Sequence, residues 1–583
     1  MTPKHATSPE MRHRLQKLGI AALCATCTLM AEQYHVATRD PRADDTNAGS
    51  SAAPFKTISR ATEKATGGDV VLIHGGVYRE SVTVTTGGTE ERPVRFAAAP
   101  MANVVITGAD VLTDWNREQD DAHVYSTPWP YRFITWYEGG HHPHNDFHKV
   151  IGRCEQVHLN RYPLLQVLER DKLSRGTFYI DLEAKRLFIW DRANREPGTG
   201  STVVEGSHRA VLWSCKVDYV QVRGIRFRFA SNRAQEGAVQ MLGNHGLMED
   251  CTVERVNALG AILGGKGNTV RRCLFQDNGW DGFDAGAQDL LMTGCTVRNN
   301  NTKGWNRDWG GGGNKIVLSR NVILEKCRFT GNRGHGVWFD IGNEDCVVRN
   351  CLIADNENAG IFYEISYGLH AHDNVIIGNG LAPRDRAWGA NGGISLSSSP
   401  NCLIERNLIV ANKEGIQFRE QTRTTPRIGQ RDKQVRVWNH DHTIRNNIIA
   451  HNRDAQVAGW FAKPHLFHWP KAAGKQTAEQ GQEPPKGMSL EDMGFVLEHN
   501  LFAMRHGELL YQWGCTWDEH LKLSRLQDVW QQLGLERGSL QAPLQFADWH
   551  ARDLRLPADS PALTGKRYPR GDVPGVRLGV VTD

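Results

Sequence analysis

Between about residues 240 and 505 the apolar positions follow neither a helical period nor long alternation; they come in short, evenly repeated clusters. A motif ending in two apolar residues returns as Cys251-Thr-Val, Cys273-Leu-Phe, Cys295-Thr-Val, Cys327-Arg-Phe and Cys351-Leu-Ile. It continues with asparagine in the lead as Asn374-Val-Ile, Asn407-Leu-Ile, Asn447-Ile-Ile and Asn500-Leu-Phe. The first spacings are 22, 22, 32, 24, 23 and 33 residues. A base of 22 to 24 residues with occasional insertions is one turn of a solenoid whose three short strands bury themselves by stacking on their neighbours. A second landmark keeps the same step: a glycine opens a short strand at Gly260, Gly282, Gly313, Gly336, Gly360, Gly393 and Gly415. The leucine code of leucine-rich repeats and the 3.6 period of helical repeats are both absent. The pattern predicts an all-β chain, a right-handed parallel β-helix.

The rhythm also divides the chain. Tyr34-His-Val-Ala, Pro54-Phe-Lys-Thr-Ile and Gly68-Asp-Val-Val-Leu-Ile-His-Gly-Gly-Val-Tyr-Arg-Glu read as a first strand, a capping helix and the first coils, within 33–113. From 114 to 204 the coil gives way to alternating runs such as Thr177-Phe-Tyr-Ile-Asp and Arg186-Leu-Phe-Ile-Trp, an inserted antiparallel β subdomain. Coils resume over 205–514. A closing segment, 515–583, holds an amphipathic helix near Leu521–Leu535. At the N-terminus, Arg12, Arg14 and Lys17 precede about 13 mostly apolar residues, Gly19 to Ala31. That run is too short to span a bilayer and reads as a signal peptide over 1–32, implying a secreted or periplasmic protein.

Composition adds turns and removes partners. The 59 glycines, with asparagine crowding the middle of the chain, suit tight left-handed corners. A formal net charge of +4 over 583 residues gives no tract for nucleic acid, and no segment is long and apolar enough to cross a membrane. Five of the 12 cysteines, those leading the motif, fall in one column of the repeat. In-register side chains on parallel strands suit the disulfide torsion poorly, so a ladder of buried free thiols is expected, with disulfides as the alternative in an exported protein.

The glycine landmark fixes which side chains leave the coil. Side chains alternate along a strand; with Gly+1 and Gly+3 apolar and inward, Gly+2 and Gly+4 face out as two columns. The Gly+2 column reads Ile262, Asp284, Lys315, Trp338, Phe362, Ser395, Gln417, and the Gly+4 column Gly264, Gly286, Val317, Asp340, Glu364, Ser397, Arg419. Asp340 and Glu364 fall on successive turns, roughly 4.8 Å apart. Carboxylates so close do not both ionise freely, and one pKa should rise. A raised acid beside an ionised neighbour at roughly 5–5.5 Å is the arrangement of a retaining glycoside hydrolase; a solvated acidic pair or a calcium site are the alternatives. Long excursions around Thr302–Gly310, Gly380–Gly389 and 422–440 would wall a groove along this face. Trp305, Trp309, Trp338 and Trp388 offer flat surfaces for sugar rings, and Asp284, Lys315 and Arg419 polar contacts. Asp281 and His335 are weaker candidates, and the His141, His142, His144 and His148 cluster lacks metal-ligand spacing.

From about residue 34 to 500 the chain resembles the parallel β-helix glycosidases and lyases of the pectate-lyase-like superfamily, and most of all the β-xylosidases of glycoside hydrolase family 120. The resemblance rests on the opening Pro-Phe-Lys-Thr-Ile and Gly-Gly-Val-Tyr-Arg-Glu segments, on the early β insertion, and on Trp338-Phe-Asp340 with Tyr363-Glu364-Ile-Ser366 one coil apart. It implies Asp340 as nucleophile and Glu364 as acid/base, acting on polysaccharide or oligosaccharide without a cofactor. Val317 stands where that family tends to carry a histidine, so a change in the sugar recognised is expected. Two further readings stay open: a polysaccharide lyase or uronate epimerase with Lys315 or Arg419 as base and the acids holding Ca²⁺, and a non-catalytic carbohydrate-binding surface protein.

Overall fold

In the computed structural model, described over residues 31–133, 146–383, 388–421, 423–461, 493–515, 520–548, 551, 553–557 and 559–564, three sheets of 13 strands each run the length of a parallel β-helix. One complete turn shows the plan. Glu344–Arg349 lies in the first sheet, Leu352–Ala354 in the second and Ile361–Glu364 in the third. Between the first two sheets a single residue takes the left-handed conformation, as Arg272, Lys326, Asn350, Asp373 and Arg406 do at φ 51–56°. The next residue is the Cys or Asn of the repeat motif, and it points inward.

Two side-chain columns hold the corners. Cys251, Cys273, Cys295, Cys327 and Cys351 are buried free thiols, as expected from the parallel register. Asn374, Asn407, Asn447 and Asn500 continue that column with amide-to-amide hydrogen bonds of 2.9, 3.0 and 3.1 Å. A second ladder stands five residues further along each turn. Asn278, Asn300, Asn332, Asn356, Asn379, Asn412 and Asn452 each donate to the next at 2.9–3.1 Å. Their Nδ2 groups also cap strand carbonyls such as Phe329 and Ile353, which satisfies polar groups that burial would otherwise strand. The motif glycines pack against these rungs: a Cβ on Gly336 would meet Asn356 Nδ2 at 2.6 Å, and one on Gly313 the Gly336 carbonyl at 2.1 Å.

The chain enters through Gln33–Val36, and the short helix Ile58–Lys64, N-capped by Thr57, covers the first coil. The insertion leaves after Val104–Thr107 of the second sheet and returns at Trp213–Cys215 of the third. It forms a four-stranded and a five-stranded sheet, bounded by Ala109–Val111 pairing antiparallel with Val204–Ser207, a few residues wider than the break in rhythm at 114–204. The closing helix is Leu526–Leu533, shorter than the amphipathic stretch, because Leu521 belongs to a strand, His520–Leu523, that folds back antiparallel on Leu509–Gly514. Leu540–Gln541 then adds one more parallel strand to the second sheet. No helix among the described residues is long and apolar enough to cross a membrane. The apolar N-terminal run and His141, His142 and His144 lie outside the described residues.

Candidate active site

The two outward columns form in the register read from the glycines. Ile262 pairs with Asp284, Asp284 with Lys315, Val317 with Asp340, Trp338 with Phe362, Glu364 with Ser397 and Ser397 with Arg419. Asp340 and Glu364 end neighbouring strands, Val337–Asp340 and Ile361–Glu364.

The expected walls do more than flank a groove: they cover the two carboxylates. Gly286 is exposed and Asp284, Lys315 and Val317 are half-buried, but Asp340 and Glu364 are only 6% and 7% exposed. The cover comes from both edges of the third sheet. The excursion 301–313 and the described residues of the next, 380–383 and 388–392, rise from its junction with the second sheet, the same edge that bears the inserted subdomain. The third excursion rises from the opposite edge as the hairpin Arg423–Arg427/Gln430–Val437. Residues from both sides therefore reach over the carboxylates.

Each carboxylate has a cation. Lys315 Nζ lies 2.9 Å from Asp340 Oδ2 and donates to the Trp309 carbonyl at 2.8 Å, which ties the 301–313 excursion to the sheet. Asp340 Oδ1 is buried without a hydrogen-bond partner. Arg423, from the hairpin, donates to Glu364 Oε1 at 2.8 Å, and Arg419 stands 3.9 Å from the same oxygen. Burial and the charge of Asp340 push the Glu364 pKa up, and the two arginines pull against them. The expectation of one raised acid in the pair is met at Glu364.

Deeper on the same face, Asp281 and Asp284 form a second acidic pair. Asp281 accepts from the Gly311 N–H at 3.1 Å and Asp284 from the Lys315 N–H at 2.9 Å. Burial raises the Asp281 pKa to about 6, and burial with the Asp281 charge raises that of Asp284. Asp284 thus anchors the Lys315 strand.

The aromatic candidates separate. Trp305 is packed with Trp280, Ala234, Ala258 and Leu259, and Trp309 stacks on Trp280 at 5.0 Å. Trp338 lies beneath Lys315 Nζ, 4.2 Å from its ring centroid, beside Phe362 and His335. Trp388 and Phe362 flank the Arg419 guanidinium at 5.3 and 6.0 Å. Sequence reasoning missed Trp280, which supports two of the tryptophans, and Arg423, which an insertion delivers from outside the repeat. Among the described residues no three His, Cys, Asp or Glu side chains are grouped to hold a metal ion.

Residues 237–409 match the family described as right handed beta helix region. The pectate lyase PEL9 of Emericella nidulans is 24% identical over 354 residues, 55% of this chain and 78% of that protein. The uncharacterized protein YwoF of Bacillus subtilis is 39% identical over 71 residues, 12% of this chain, so the match spans 15% of YwoF. Among solved structures, XylC in complex with xylose superposes with a TM-score of 0.62 at 17% identity, covering 82% of this chain and 86% of XylC. The resemblance drawn from the sequence, to parallel β-helix proteins of the pectate-lyase-like kind, is met in both fold and sequence.

Proposed function

We propose that this protein is an exported carbohydrate-active enzyme, a retaining glycoside hydrolase in which Asp340 is the nucleophile and Glu364 the acid/base. The observation that carries this reading is the difference between the two carboxyl groups. Asp340 is held by Lys315 on one oxygen and keeps the other without a partner, while Glu364, on the next turn, has its pKa raised. A carboxyl biased toward its protonated form beside one held by a lysine is what acid and nucleophile roles require. Glu364 protonates the glycosidic oxygen as Asp340 Oδ1 bonds to the anomeric carbon and the aglycone leaves. Glu364 then takes a proton from water, whose oxygen displaces Asp340 and leaves the anomeric configuration retained. The names of PEL9 and XylC support a carbohydrate substrate.

The lyase or epimerase alternative asks Asp340 and Glu364 to hold Ca²⁺ and Lys315 or Arg419 to act as base. Here the positions a calcium ion would share are taken by the Lys315 and Arg423 side chains, and Lys315 Nζ is committed to Asp340 and the Trp309 carbonyl. The hydrolytic reading needs no cofactor. Reducing ends released from oligosaccharides, with retained configuration by proton NMR, test it. Glu364→Ala should still cleave dinitrophenyl glycosides, whose leaving group needs no protonation, while losing action on unactivated linkages; Asp340→Ala should lose both. An unsaturated uronide product absorbing in the ultraviolet, its formation abolished by EDTA, would transfer the assignment to a lyase.

A further inference from the structure

Among the buried polar atoms without hydrogen-bond partners on the roofed face are Trp338 Nε1, Asp340 Oδ1, Ser397 Oγ and Arg419 Nε. Three belong to one column, in which Glu364, Ser397 and Arg419 occupy successive strands. Buried donors and acceptors left unmatched are costly, and these four, on turns either side of Glu364, describe the polar outline of something that binds there.

Arg419 gives that outline its charge. Each other cation named at this face already donates to an acceptor: Lys315 to the Trp309 carbonyl, Arg423 to Glu364 and Gln421, Arg307 to Asn358, Arg427 to Glu344. Among the described residues the Arg419 guanidinium makes no hydrogen bond. It reaches to 3.9 Å from Glu364 Oε1, beyond hydrogen-bond range, and Trp388 and Phe362 flank it. Among the described residues Asp308 is the other acid that bears on it. A planar fork flanked by aromatic rings, with donors open and a serine hydroxyl alongside, matches the oxygens of a carboxylate or sulfate.

We infer that Arg419 and Ser397 form a subsite for an anionic substituent, so the sugar bound beside Glu364 is a uronic acid or a sulfate ester rather than a neutral sugar. The inference rests on the carbohydrate reading of this face, but not on its catalytic roles. Titration calorimetry on the full-length Asp340→Asn protein measures binding without turnover, so failure of the hydrolase assignment and failure of this subsite are told apart. The probes are trigalacturonate, a 4-sulfated galacto-oligosaccharide and neutral xylotriose. Binding at least tenfold tighter for one anionic probe than for xylotriose is expected, and which of the two binds names the substituent. Adding Arg419→Met should erase the preference, and Arg419→Lys should restore only part of it, since lysine keeps the charge but not the fork. If Arg419→Met does not fold, the preference in the Asp340→Asn protein should still shrink as salt rises from about 0.05 to 0.5 M, as screening requires. Equal affinity for the three probes, or a preference that survives Arg419→Met in a folded protein, overturns the inference.

Discussion

Replacing Arg423 by methionine isolates one of the forces on the acid/base. Its guanidinium donates to Glu364 Oε1 at 2.8 Å and favours the ionised form of a carboxyl that burial and Asp340 drive toward the protonated form. A hydrogen bond between charged groups is worth about 1.5–3 kcal/mol. Arg423 keeps 31% of its side chain exposed, so water screens the pair and the lower end applies. At about 1.36 kcal/mol per pH unit, that is a rise of about one unit in the Glu364 pKa. A general acid works in its protonated form, so activity falls as pH rises through this pKa. The alkaline limb of kcat/KM should therefore move about one unit higher in Arg423→Met. The assay needs an unactivated oligosaccharide, for which protonation of the leaving group limits the rate. Arg423→Lys should leave the limb near its original place. A limb that stays put, or moves to lower pH, refutes the assignment of Glu364 as the acid.

Asn356→Ala should destabilise the fold by about 2–6 kcal/mol in urea unfolding, because the Asn332 N–H and the Phe329 carbonyl both lose a partner, at about 1–3 kcal/mol each. The Cys251–Cys351 column should react with a thiol reagent only after denaturation and run identically with and without reductant. Asp281 has a folded pKa of about 6, above its ordinary 3.8, so the folded state keeps a proton the unfolded chain releases. Stability should accordingly decline between about pH 4 and 6, and Asp281→Asn should flatten that decline in thermal melts.

The coil and the two outward columns were legible because glycine is forced at one corner of every turn by the asparagine rungs, which made it a reliable ruler. The second ladder carried a readable signal too. Asn278, Asn300, Asn332, Asn356, Asn379, Asn412 and Asn452 each follow the Cys or Asn motif by five residues. The roof was not legible. Periodicity says where an insertion starts, but not that 301–313 and the Arg423–Arg427 hairpin lean over the sheet from opposite edges. Arg423 obeys no repeat, and the burial of Asp281 depends on the Gly311 backbone closing over it. Trp305 has the composition of a sugar platform, yet its position beside Trp280 makes it packing.

The asparagine rungs are indifferent to how much chain separates them. Asn278 and Asn300, 22 residues apart, meet at 3.0 Å; Asn300 and Asn332, 32 apart, at 3.0 Å; Asn412 and Asn452, 40 apart, at 3.1 Å. Lengthening a wall over the site therefore costs the scaffold no register. Such a molecule can exchange its specificity loops piecemeal, by insertion or grafting, while Asp340 and Glu364 keep their places on rungs that never sense the change.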